Sequence, residues 1–390
     1  MSVEPDDDSR TGAGGRGREL TALVRTDVDA AKRLLAALPI EEQVKTICQL
    51  PAERRSEALA LTPDPGLVIP RMPELDLCAT TVAVGPEGSG WLLAHASREQ
   101  IVACLDLDAW RGPVIDPGRL DAWLTGLADA GDATLLRTAR ALDPELLAFW
   151  ALRDVEFFIR TGEDEDWEPP ADARTIDGEH YFRARHPDTD LEVLMRLLYV
   201  LFENDQTLYL ALVHDVAAGA SSVDEEQALH WRGCRLIDLG FPTRDEALAA
   251  YAWLDPESAG LPEAPAPAGE PEENLPVDPA RPLLPYPLFD AIAQLASDER
   301  DRALIDFMQL SNKVLVAEGL SLGDADAVRE AMSRAAELAS RGLEAIAERN
   351  ELDDVAVLRR STVEHLFRMG ASLAGAGAGL LRSAAEEEAE

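Results

Sequence analysis

Lysine is almost missing from this 390-residue chain: Lys32, Lys45 and Lys313 are three among 36 basic residues, set against 73 acidic ones. The net charge of −37 repels nucleic-acid phosphates and anionic membrane surfaces, so neither is expected as a partner. Cysteine is scarce as well. Cys48, Cys78, Cys104 and Cys234 lie far apart in the sequence, with no Cys-x-x-Cys pair to chelate zinc or cycle as a dithiol, and are expected as buried reduced thiols. There is no uninterrupted apolar run of spanning length, and residues 1–18 lack an apolar leader core. A cytoplasmic protein without membrane insertion is therefore expected. Gly-x-Ser-x-Gly, His-Glu-x-x-His and calcium-loop spacings are absent too, which lowers the weight of several hydrolase and metal classes. No cofactor is expected.

What is present is ordinary globular material. Hydrophobic residues make up 46% and charged residues 28%, enough for a real core, and the length predicts two to three domains at about 150 residues each. Residues 1–18, acidic and then Gly/Arg-rich, read as a disordered tail. From Leu20, the residues Leu23, Val24, Val28, Ala31, Leu34, Leu35 and Leu38 recur at three- and four-residue steps, which places them on one helical face.

Short helices are then expected to open at Leu38-Pro39, Leu50-Pro51, Thr62-Pro63, Asp116-Pro117, Asp143-Pro144 and Asp255-Pro256, because proline costs nothing in a first helical turn. Ser97-x-x-Gln100 and Thr243-x-x-Glu246 fit the capping box. Asp177-Gly178 between residues of strand propensity predicts a small β-hairpin near 174–183. Residues 163–168, acidic around Trp167, read as a loop.

Residues 255–279 hold seven prolines and seven acidic residues with no basic one, the clearest linker in the chain. The expected organisation is thus a helical domain over 19–254 carrying the hairpin, an acidic Pro-rich linker over 255–280, a C-terminal helical bundle over 281–383, and an acidic tail over 384–390. The fold class is mainly α, an irregular stack of short helices plus that bundle. Gly342, inside a helical pattern, predicts a close helix approach, since glycine in a helix costs about 1 kcal/mol relative to alanine.

Chemistry-bearing constellations are few. Gly12-x-Gly14-x-x-Gly17 matches a dinucleotide fingerprint as a string but follows no strand, and 85–90 is a loop without the phosphate-binding lysine. His180 and His186 share a strand face about 20 Å apart, too far for one ion. His365 reads as a hydrogen-bonded, half-buried histidine. Asp106 and Asp108, beside Trp110, are a candidate carboxylate pair; alternation with Leu105 and Leu107 turns both outward, where they cap a helix or meet solvent. Asn312, polar amid Phe307, Met308, Leu310, Val314 and Leu315, either ties a loop by hydrogen bonds or lines a pocket, while Lys313 snorkels outward. Asp106, Asp108, Trp110 and Asn312 are the candidate site residues; no catalytic, cofactor or metal residue is assigned.

Four segments, Leu105-Asp106-Leu107-Asp108-Ala109-Trp110, Leu239-Gly240-Phe241-Pro242, Asn312-Lys313-Val314-Leu315-Val316-Ala317-Glu318-Gly319 and Leu366-Phe367-Arg368-Met369-Gly370, resemble an uncharacterised bacterial family known as domain of unknown function 6178. The resemblance spans about residues 30 to 370 and implies a mostly helical cytoplasmic protein, with no reaction attached. The Leu-Pro-x-Glu units in 30–61 are more weakly similar to the acidic helical regulatory domain of magnesium transporters. Three functions are carried forward: a scaffold or adaptor with a protein partner, an enzyme with an acidic pocket near Asp106 and Asp108, and a divalent-cation-responsive module.

Overall fold

The computed structural model describes residues 8–144, 146–148, 155–160, 167–186, 189–218, 222–257, 285–377 and 379–382. Residues 1–7, the acidic stretch 161–166, most of the expected linker (258–284) and the acidic tail lie outside them. The chain divides into two compact units, residues 1–232 and 233–390, with the division inside a helix rather than in the Pro-rich stretch.

The first unit runs α1 (Asp8–Thr26), α2 (Val28–Ala36), α3 (Ile40–Cys48), α4 (Ala52–Leu59), α5 (Pro65–Val68), α6 (Glu74–Val84), α7 (Gly90–His95) and α8 (Arg98–Asp108). A two-residue hairpin, β1 (Trp110–Arg111) and β2 (Val114–Ile115), leads into α9 (Pro117–Asp129) and α10 (Asp132–Ala139). Then follow β3 (Val155–Ile159), β4 (Arg174–Thr175), β5 (His180–Ala184), α11 (Glu192–Asn204) and α12 (Gln206–Ala218). Helix α13 (Ser222–Asp238) contains the division point. The second unit continues with α14 (Arg244–Ala249), α15 (Pro287–Ala293), α16 (Ser297–Ala317), α17 (Ala325–Asn350), α18 (Asp354–Leu358) and α19 (Val363–Ala374). The chain is mainly α, as expected, with helices packed together in the C-terminal part.

Local chemistry sets many of these starts. Ser97 Oγ accepts from the Gln100 amide at 3.1 Å while Gln100 Oε1 takes the Ser97 amide at 2.9 Å, and Gln100 Nε2 also reaches the carbonyls of Ile69 and Met72. Thr243 and Glu246 close the second box. Asp116 caps α9 with Pro117 at its first position, the favoured pairing. Pro39 and Pro51 instead stand at the cap positions of α3 and α4, and after Thr62-Pro63 the helix waits until Pro65. Asp255-Pro256 runs into a turn at 256–257, and the residues after it, 258–284, lie outside the described ones.

Other expectations are corrected. Helix α1 reaches back to Asp8, across part of the stretch read as a tail, and Asp27, capping α2 through the Ala30 amide, splits the long apolar face into two helices. The hairpin forms at Asp177-Gly178, with Gly178 at φ 77°, but a third strand joins it: the sheet order is β3-β5-β4, antiparallel throughout, with Phe157 opposite Phe182 and Ile159 opposite His180. Cys78 and Cys104, 26 residues apart, are brought together on α6 and α8, where the Cys78 thiol points at the Cys104 carbonyl at 3.8 Å. Cys234 is exposed rather than buried. Among the described residues no helix is long and apolar enough to cross a membrane.

Candidate functional site

Asp106 and Asp108 do not alternate on a strand. They occupy the last turn of α8, a helix in which every residue from Gln100 to Asp108 is buried, so both carboxylates face inward. Asp108 Oδ2 accepts from Trp123 Nε1 at 2.9 Å and from Arg119 Nη1 at 3.2 Å. The carbonyl of Asp106, one of the acceptors a helix C-terminus leaves over, takes Arg232 Nε at 2.8 Å, and Arg232 Nη1 reaches the Gly112 carbonyl at 2.9 Å. The same guanidinium lies 5.0 Å over the Trp110 ring, whose indole N–H is buried without a partner. Two carboxylates at a helix C-terminus oppose the helix dipole; Arg119 and Arg232 offset that. The arrangement clamps α8, the β1–β2 hairpin, α9 and α13, and it leaves the Asp108 side chain fully covered.

Asn312 belongs to the second unit. It sits in an unbroken α16, where the polar triplet Ser311-Asn312-Lys313 interrupts only the apolar pattern. The amide is 1% exposed, yet neither Oδ1 nor Nδ2 has a hydrogen-bond partner, so it ties no loop. Ser311 bonds back to the Phe307 carbonyl, and Lys313 pairs with Glu364 at 2.8 Å.

A constellation the sequence reading passed over surrounds the hairpin turn. Asp177 Oδ1 accepts the amides of Glu179 and His180, while Oδ2 accepts Tyr209 Oη at 2.7 Å and meets His180 Nδ1 at 2.5 Å. Burial alone raises the Asp177 carboxyl, but these hydrogen bonds, His180 first, outweigh it and hold the group down to about 2. Burial, then the Asp177 carboxylate, pushes the Tyr209 hydroxyl up, which keeps it a donor. The His180 ring stacks on Phe157 at 5.8 Å. Facing that carboxylate, His180 Nδ1 is the ring nitrogen placed to donate to it. The sequence signal of this pair is the Asp177/His180 spacing of three across the turn.

A third feature lies in the second unit, where residues 251–256 run along α17 and α19 as a strap. Tyr251 Oη donates to Glu318 at 2.7 Å and its ring meets Phe367 edge-on at 5.0 Å. Arg368 Nε donates to the Ala252 carbonyl, the Leu254 amide donates to Ser372 Oγ at 2.9 Å, and Arg349 holds the Pro256 carbonyl. Between these anchors the Trp253 side chain stands 65% exposed. Among the described residues no three His, Cys, Asp or Glu side chains converge as ligands of a metal ion.

A profile described as "Family of unknown function (DUF6178)" matches residues 32–385 of the chain. No curated protein and no solved structure matches it.

Proposed function

The chain belongs to DUF6178, a family of unknown function, and we propose that it is a cytoplasmic bacterial protein-interaction scaffold that holds a protein partner at Trp253. The observation that carries this reading is the contrast along the strap: backbone or side chain of Tyr251, Ala252, Leu254 and Pro256 is fixed to neighbouring helices, while the indole between them is left to solvent. Exposed tryptophan is the residue type most enriched among interface anchors, and an anchor already held in place loses little freedom on binding. The charge of −37 disfavours nucleic acid as that partner.

Affinity capture of the tagged chain from lysate of its source cells, quantified by mass spectrometry against an unrelated acidic protein, tests it. The expected result is a stoichiometric, salt-resistant protein that Trp253→Ala releases while the melting temperature stays put. Capture of nothing above the control, or of a protein indifferent to Trp253→Ala, sinks the reading.

A second reading, an enzyme, draws support from Asp177 and His180 rather than from the covered Asp106 and Asp108. An Asp-fixed imidazole with its other nitrogen as acceptor is the arrangement of a general base. A panel of activated carboxylic and phosphoric esters, assayed with the parent and with His180→Ala, separates it from the scaffold: turnover lost in the variant supports it, and turnover equal in both removes it. The divalent-cation module keeps its own test, a magnesium- or calcium-induced thermal shift beyond ionic screening.

A further inference from the structure

We infer that the surface around Trp253 is covered, in the free chain, by residues 383–390 of the same unit, which lay their glutamates on Arg341 and Arg368 and so compete with the protein partner proposed above. The competition, though not the docking, rests on that reading. The strap lays out the patch. Trp253 is 65% exposed, and its chain neighbours Ala252 and Leu254 are pinned to Arg368 and Ser372 of α19. Leu373, next to Ser372, adds an aliphatic side chain 38% exposed, and its carbonyl accepts from Arg341 Nη2 of α17 at 3.5 Å. An indole and a leucine are thus flanked by two guanidiniums.

Charge and tether together choose the occupant. Among the described residues neither Arg341 nor Arg368 pairs with a carboxylate, not even with Glu337 and Glu344, which stand one turn to either side of Arg341 on α17. Asp255 and Glu257 flank Pro256, whose carbonyl Arg349 holds, so that end of the strap has a cation of its own. Residues 383–390 read Ser-Ala-Ala-Glu-Glu-Glu-Ala-Glu, four carboxylates among small residues with no basic one. They leave from beside the patch: a Cβ built on Gly377 would fall 2.8 Å from the Tyr251 ring, two residues before Trp253, and eight extended residues reach about 26 Å. On so short a tether a segment is present at millimolar effective concentration, so exposed ion pairs worth little between free molecules suffice within one chain. A free acidic peptide has no such advantage to set against a net charge of −37, which is why the chain's own segment is the occupant.

The test places a photo-reactive benzophenone amino acid at position 389 of the full chain, in place of Ala389, and maps crosslinks by mass spectrometry in an equal mixture of isotopically light and heavy copies. The expected product joins position 389 to residues 251–256 or 368–376 of the same copy. Its yield should fall about threefold or more in Trp253→Ala, in Arg341→Glu, and in the combined Glu386→Gln, Glu387→Gln, Glu388→Gln and Glu390→Gln. Trp253 and Arg341 are exposed, and equal melting temperatures show that the variants fold; if one does not, about 0.5 M salt, which screens exposed ion pairs, must bring the same fall in the parent. Lysate capture by the four-glutamine form should rise about twofold or more over the parent. No crosslink, crosslinks only elsewhere or between light and heavy copies, a yield indifferent to these changes, or equal capture by both forms overturns the inference. Crosslinking without any captured protein leaves the docking standing and removes the partner reading; capture that depends on Trp253 without the crosslink does the reverse.

Discussion

Gly342 on α17 and Gly370 on α19 face each other where the two helices cross. A Cβ on Gly342 would fall 1.8 Å from the Leu366 carbonyl oxygen, and one on Gly370 would fall 1.8 Å from that of Leu338. Each glycine thus makes room for the backbone of the other's helix, and neither can gain a methyl unless the helices part.

Alanine at Gly342 or Gly370 is therefore expected to lose at least ~1–3 kcal/mol, the scale of core overpacking, visible as a lower urea midpoint. Gly233 on α13, with nothing within 4 Å of a built Cβ, is the contrast: Gly233→Ala should leave stability unchanged or raise it by up to ~1 kcal/mol. Parental stability for both crossing variants would contradict the close approach.

Acid should loosen the Asp177 junction in a defined window. The group is held down to about 2 from an ordinary 3.8, and a depressed carboxyl contributes stability that is complete above its unfolded value and lost as pH falls through its folded one. The hairpin tip is thus fully docked on Tyr209 at neutral pH and released between about pH 4 and 2. Fluorescence of Trp167, whose ring packs on Tyr181 at 4.9 Å, followed against pH checks it; Asp177→Asn should abolish this part of the transition.

Asp108→Asn keeps the shape and an acceptor for Trp123 but removes the charge that Arg119 and the indole N–H address. A loss of about 2 kcal/mol is expected, the scale of hydrogen bonds to a charged group, measured by chemical denaturation. If the variant were as stable as the parent, the carboxylate would have no structural work, and a chemical role for Asp108 would gain ground.

Asn312→Leu should leave the melting temperature equal or higher, because a buried amide with neither atom bonded is more costly than an apolar group of similar volume. A drop instead would reveal an internal water, which bonds buried polar groups of this kind.

Where an element is defined by side chain–backbone chemistry within four residues, the sequence disclosed it. Ser97 with Gln100, Thr243 with Glu246 and Asp116 with Pro117 mark real helix starts for that reason. Stripes with one dry face, such as Ala31 and Leu35 on α2, are legible too, because burial on one side leaves a period. Helix α8 was misread because it is buried all round: with no wet face there is no 3.6-residue period, and Leu105-Asp106-Leu107-Asp108 imitates the two-residue period of a strand. The partners of the candidate residues were hidden for another reason. Arg232 is 126 positions from Asp106 and Tyr209 is 32 from Asp177, distances over which neither spacing nor composition carries a signal.

Helix α8 has a place in time as well as in space. Its covering groups come from both directions along the chain: Ile69, Met72 and Cys78 are made before it, Arg119 and Trp123 just after, and Arg232 only 126 residues past Asp106. At ribosomal speeds of about 5–20 residues per second, that last gap is roughly 6–25 s. During it the α8 segment has been made while its final cation is still unsynthesised. The covering of α8 can therefore be completed only after nearly all of the first unit's own length has been made.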